Sequence, residues 1–107
     1  MDRDKFCVKW NEFEGNFQNS FKVLRNQEKL FDVTLATDDG HQIQAHRVIL
    51  SAESEFFSDV LTKCHQSSML IYLKGIGRKE LQNLMNFLYN GETYVTQDEL
   101  SDFLEVA

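Results

Sequence analysis

The five cysteine and histidine side chains of this sequence are the first candidates to hold a metal or run a nucleophilic reaction: Cys7, Cys64, His41, His46 and His65. A zinc site needs several such ligands converging at fixed spacing. Here Cys64 and His65 are adjacent, His41 and His46 are five apart and Cys7 is remote, so no metal is expected. A Cys64 nucleophile with a His46 base is the one catalytic pairing the composition offers. No nucleophile elbow, phosphate-cradling glycine loop or paired-carboxylate motif supports it. A lone histidine between a strand and a helix is more often hydrogen-bonded structure than a ligand or base, so His46 is assigned no chemistry. No catalytic residue and no cofactor is expected.

The remaining unusual residues are apolar or charged. Phe13, Phe17, Phe21 and Leu24 form a stripe at helical spacing with three phenylalanines, more than a helix on a small domain usually needs. Periodicity alone leaves two outlets, the chain's own core, which is commoner, or a partner surface. Upstream, Phe6, Val8 and Trp10 alternate with Cys7 and Lys9, the pattern of a strand with no hairpin partner beside it. Asp32 lies between apolar Phe31 and Val33, and Arg47 opens a helix, so both are candidates for burial near each other.

The elements that position these residues follow from periodicity. Phe31, Val33 and Leu35 alternate with Asp32 and Thr34, Asp38-Asp39-Gly40 supplies a turn, and Ile43 and Ala45 resume the alternation: a β-hairpin. From Val48 the period becomes helical, with Val48, Ile49 and Ala52 on one face. Ser54 is placed to cap a further turn, and Phe56, Phe57, Val60 and Leu61 follow, so two short helices run to about Thr62. The rest reads as a short strand Phe6 to Trp10, a helix near Phe13 to Gln27, a strand Met69 to Leu73 and a helix near Arg78 to Tyr89. Gly75 and Gly77 read as turn residues ahead of that helix. It carries Leu81, Leu84, Met85 and Leu88 on one face and stops at Asn90-Gly91. A final helix opens with Thr96 and Glu99 as a capping box and places Leu100, Phe103, Leu104 and Ala107 on one face.

With 107 residues, 42% of them hydrophobic, no proline, no linker and no repeat, residues 1–107 read as a single domain with a core. No apolar run of about 18 residues and no apolar leader are present, so the chain reads as intracellular, with no membrane partner and with reduced thiols. A net charge of −6 argues against a grip on phosphates, so direct nucleic-acid binding by this domain is not expected. Beyond Lys79 there is no basic residue, and the acids there read as a solvated face.

Asp32-Val33, Ala45-His46-Arg47, Leu50-Ser51-Ala52 and Ser54-Glu55-Phe56-Phe57 resemble the recurring pattern of the BTB (POZ) family. The upstream run Phe6-Cys7-Val8-Lys9-Trp10-Asn11, followed by Asn16-Phe17, Phe21 and Leu24, resembles the extended amino terminus of its tramtrack-type subgroup, found in insect chromatin and transcription proteins. The matched positions span nearly the whole chain.

The resemblance implies an α+β fold, a helical cluster capped by a small mixed β-sheet, with an amino-terminal strand exchanged in a dimer. It places Phe13, Phe17, Phe21 and Leu24 against a two-fold mate, sends the strand bearing Phe6, Val8 and Trp10 to the other protomer, and puts Asp32 and Arg47 in a charged pocket at the dimer interface. It implies further helical residues after the last helix, hence a domain cut at its carboxyl end. The expected function is protein-protein interaction: homodimerisation, with higher-order or hetero-oligomerisation, of a nuclear transcription or chromatin regulator. The partners implied are a second copy, other tramtrack-type BTB domains and corepressors. The alternative is a substrate adaptor for a cullin-based ubiquitin ligase. Adaptors tend to carry an apolar-x-Glu element after the Phe-Phe helix, whereas Leu61-Thr62-Lys63-Cys64 has no acid there.

Overall fold

The computed structural model describes residues 4–64 and 66–100. Helix α1, Phe13–Asn26, starts where the Phe13 amide closes a turn on the Trp10 carbonyl and carries no buried residue. Strands β1, Val33–Thr37, and β2, Gln42–Ala45, pair antiparallel with Val33 opposite Ala45 and Leu35 opposite Ile43. Gly40 makes the hairpin turn at φ 84°, a conformation a side chain would resist. Helices α2, Arg47–Glu53, and α3, Glu55–Thr62, share extended Ser54 as their junction. The Ser54 hydroxyl oxygen accepts the Phe57 amide at 3.4 Å, a cap for α3.

Strand β3, Met69–Leu73, then lies parallel to β1, giving a mixed sheet in the order β2-β1-β3. Helix α4, Arg78–Asn90, follows, ending at Gly91 with φ 81° and its amide on the Phe87 carbonyl. Residues 97–100 begin another helical turn. The Glu99 amide donates to the Thr96 hydroxyl oxygen at 3.2 Å, one half of the expected capping box. The expected face positions Phe103, Leu104 and Ala107 lie outside the described residues.

Val33, Leu35, Ala45, Leu50, Leu81 and Met85 centre the core, between the inner sheet face and helices α2 to α4. The radius of gyration is 17.5 Å, against about 13 Å for a compact chain of this length. The segment before α1 and the first turns of that helix are exposed, whereas Phe21 near its far end packs against the core.

Two expectations are not met within the single chain. Phe6 to Trp10 pair with no strand of their own chain: residues 4–10 are exposed and extend along no described strand. A strand exists by sharing a ladder, and residues 4–10 lie along neither outer edge of the sheet, β2 or β3. On α2 the buried side chain is Leu50, fully enclosed, while Val48 is 60% exposed and Ala52 is exposed. With only seven residues, α2 has too few turns for periodicity to define its inward face.

Candidate functional site

Four of the residues expected to serve association, Trp10, Phe13, Phe17 and Phe21, gather on one ridge. Trp10 and Phe13 meet edge to face with ring centroids 5.5 Å apart, Phe13 and Phe17 stand 5.7 Å apart, and Phe17 and Phe21 again 5.7 Å apart. Helical spacing of four residues stacks Phe13, Phe17 and Phe21 along one side of α1, and Trp10 extends the row from just ahead of the helix. Phe13 and Phe17 are 50% and 55% exposed, and Phe6 and Val8 ahead of them more so. Phe21 and Leu24 are half-buried, where the stripe reaches the body. Exposed Val23 borders the ridge and escaped the sequence reading because it lies off the stripe.

The base of the ridge is polar. The Arg25 guanidinium donates to Asn86 Oδ1 at 3.0 Å and lies 4.9 Å from the Tyr89 ring centroid. His46 is buried: Nε2 meets the Lys29 carbonyl at 2.8 Å, Nδ1 meets the Tyr89 hydroxyl at 2.5 Å, and its amide donates to that hydroxyl at 2.9 Å. Burial pushes the Tyr89 phenol above its usual range, and the same desolvation lowers the Arg25 guanidinium. Tyr89 was read only as the end of a helix. Its role follows from a position opposite His46, 43 residues away, which no local pattern carries.

Asp32 and Arg47 meet, though in an unexpected way. Asp32 is exposed in the single chain, and its Oδ1 accepts the Arg47 amide at 2.7 Å. The half-buried Arg47 guanidinium instead donates to the carbonyls of Gln66 at 2.7 Å, Cys64 at 2.8 Å and Leu61 at 3.3 Å. It thereby pins the last turn of α3 to the chain that leaves it. No ion pair joins the two side chains among the described residues, where Lys79 and Glu99 at 2.9 Å form the recorded pair.

Both aspartates of the hairpin turn are also engaged. Asp38 accepts the Tyr72 hydroxyl and the Gly75 amide, and Asp39 accepts the Thr37 hydroxyl and the Arg78 amide, the last at 3.0 Å. The turn thus clasps the loop between β3 and α4. Among the described residues no three His, Cys, Asp or Glu side chains gather as metal ligands, and no helix is long and apolar enough to cross a membrane.

An exposed aromatic helix on a small mixed sheet is the frame in which comparison with known proteins becomes informative. The BTB/POZ domain model matches residues 21–107. The chain belongs to the BTB/POZ domain family. It is 37% identical over 102 residues to Protein abrupt of Drosophila melanogaster, covering 95% of this chain and 11% of that protein. It is 34% identical over 107 residues to the alpha isoform of Protein tramtrack of the same species, covering 13% of that protein. The longitudinals lacking protein-like chain of that fly is 38% identical over 103 residues, with 96% of this chain and 80% of that one covered.

Solved BTB domains share the fold. The BTB domain of zebrafish PATZ1 superposes with a TM-score of 0.81 at 17% identity, covering 96% of this chain and 84% of that one. The BTB domain of human Gigaxonin gives 0.78 at 21% identity, covering 99% and 86%. The α+β BTB architecture and the tramtrack-type kinship read from the sequence both hold. A BTB domain is a protein-protein interaction module, and that much of the expected function holds for this chain.

Proposed function

We propose that this BTB domain works by associating with itself, through the ridge formed by Trp10, Phe13, Phe17 and Phe21. The observation that carries this reading is the exposure of the Trp10, Phe13 and Phe17 rings, stacked in a row that runs from just ahead of α1 to half-buried Phe21. Burying one such ring contributes roughly 1.5 to 3 kcal/mol, so two or three rival the stability of a small domain, roughly 5 to 15 kcal/mol. Leu24 closes the lower end of the interface. Asp32, exposed in one chain, is covered by the second copy, which completes a charged pocket with Arg47.

The leading strand is exchanged. Phe6, Val8 and Trp10 alternate but have no ladder, and Thr93 to Val95, rich in β-forming residues, are equally without one. These two orphan segments pair between copies, with Lys9 near Glu92 giving opposite charges across the ladder. Larger assemblies, and mixed ones with other tramtrack-type BTB domains or corepressors, use the same kind of edge.

The chain spans 11% to 14% of the length of abrupt, the Broad-complex core proteins and tramtrack. In this reading it is the associating module of a longer nuclear transcription or chromatin regulator, and its charge of −6 leaves contact with DNA to other parts of that protein. The test is removal of residues 1–10 followed by light scattering. Deletion should lower the assembly state, and an unchanged mass would defeat the strand exchange.

A further inference from the structure

Strand β3 pairs with β1 along its whole length and, on its other side, with no described strand. That edge presents a row of open N–H and C=O groups. Such edges are usually blunted by a charge, a proline or a bulge, and β2 at the opposite edge is short and turns Gln42 and Gln44 to solvent. Strand β3 has none of these devices. Its sequence, Met69-Leu70-Ile71-Tyr72-Leu73, carries no charge, proline or glycine, and Leu70 and Tyr72 are 62% and 61% exposed.

Alternation sorts the strand into two rows. Leu70 and Tyr72 share the outer face of the sheet with Thr34 and Ala36 of β1, whereas Met69, Ile71 and Leu73 face the core. Where β3 ends, a recess of about 320 Å³ lies beside Leu73, lined also by Phe56 and Phe57 of α3, Ile76, and Leu84 of α4. Phe56 is 57% exposed there.

We propose that β3 pairs antiparallel with β3 of another copy about a two-fold axis at Ile71, joining two three-stranded sheets into one. This deepens the larger assemblies proposed above and rests on that reading.

The strand is its own complement. An axis at Ile71 sets Leu70 opposite the second copy's Tyr72 and Met69 opposite its Leu73, so apolar side chains meet on both faces and both helix layers stay on one side. A slip of one residue would set Leu70 and Tyr72 against the core-facing row instead. In the symmetric register Met69 arrives beside the second copy's Leu73, at the mouth of its recess, where an unbranched thioether fits an irregular gap lined by phenylalanines. The two-fold fills both recesses at once.

Charge permits the contact. Lys74, the first charged residue after the strand, falls opposite Ser68, which puts the two Lys74 ammonium groups about 20 Å apart along the ladder, beyond a screening length of roughly 10 Å. A five-residue ladder covers less than the roughly 1,200 Å² a stable pair needs. The edge therefore holds where the α1 ridge has already coupled chains and raised their effective concentration.

The experiment is sedimentation velocity on the whole chain at rising micromolar concentration. The native chain should sediment as more than two copies, and Leu70→Lys, which charges the open edge, as two. Gln44→Lys, the same charge on the other edge, should keep the native mass, and Phe17→Ser should fall to one copy. A native chain that stops at two copies overturns the edge pairing, as does a larger mass surviving in Leu70→Lys or an equal fall in Gln44→Lys. When only Phe17→Ser falls, the edge fails and the ridge stands; when only Leu70→Lys falls, the ridge reading fails instead. Should Leu70→Lys not fold, residue-resolved amide exchange on the native chain decides. The β3 amides that point away from β1 should slow as the chain is concentrated while those of β2 do not, and β3 exchange that ignores concentration overturns the pairing.

Discussion

Arg47 places a guanidinium on three main-chain carbonyls while its amide is held by the Asp32 carboxylate. A lysine offers one point charge and no planar fork, so Arg47→Lys should lose at least one charged hydrogen bond, about 2 kcal/mol by urea denaturation. An unchanged midpoint would remove the clamp. Asp32→Asn keeps an oxygen for the Arg47 amide, so in a dissociated Phe17→Ser background it should cost less than about 1 kcal/mol. In the associating chain it should cost about 3 kcal/mol, because the charge then becomes buried. Equal costs in the two backgrounds would keep Asp32 outside the interface. Caps and turns at this scale were legible, since Ser54, Gly91 and the Thr96 and Glu99 pair act within four residues of themselves. The Arg47 and Tyr89 contacts were not, because they join residues up to 43 apart whose meeting depends on packing.

Elements were read well where their pattern is local. Strand β3 occupies Met69 to Leu73 as expected, and α1 and α4 each differ from expectation by one residue at the carboxyl end. The segment Phe6 to Trp10 makes no ladder within its own chain, and the α2 face failed because seven residues are too few to fix a direction. In α4 the periodicity put Leu81 and Leu84 inside, and both are buried. Leu81→Ala empties a fully enclosed site and should cost about 2 to 5 kcal/mol in thermal or urea unfolding. Gly91→Ala forces a side chain to φ 81° at the end of α4 and should cost about 1 kcal/mol, with a smaller loss arguing that the helix end relaxes.

The whole molecule carries a pH dependence with a definite sign. The Asp39 carboxyl is held below its usual range by the Arg78 amide and the Thr37 hydroxyl, and that of Glu99 by Lys79 and Thr96. A depressed carboxyl stabilises the fold above the ordinary carboxylate range and loses that contribution as pH falls through its folded value. At the other limb, burial raises the Tyr89 phenol, which stabilises below the ordinary phenol value and loses its contribution as pH rises. Thermal midpoints should therefore stay level through neutrality, drop below about pH 4 and drop again above about pH 10. A drop at neither limb would show these contacts are not kept in solution.

At this same scale the chain is extended, with an aromatic ridge that its own core does not cover. Sedimentation equilibrium on the purified 12.5 kDa chain at micromolar concentration, beside Phe17→Ser, tests that most directly. The native chain should give the mass of two or more copies and the variant a lower one, whereas a folded native monomer would contradict the account.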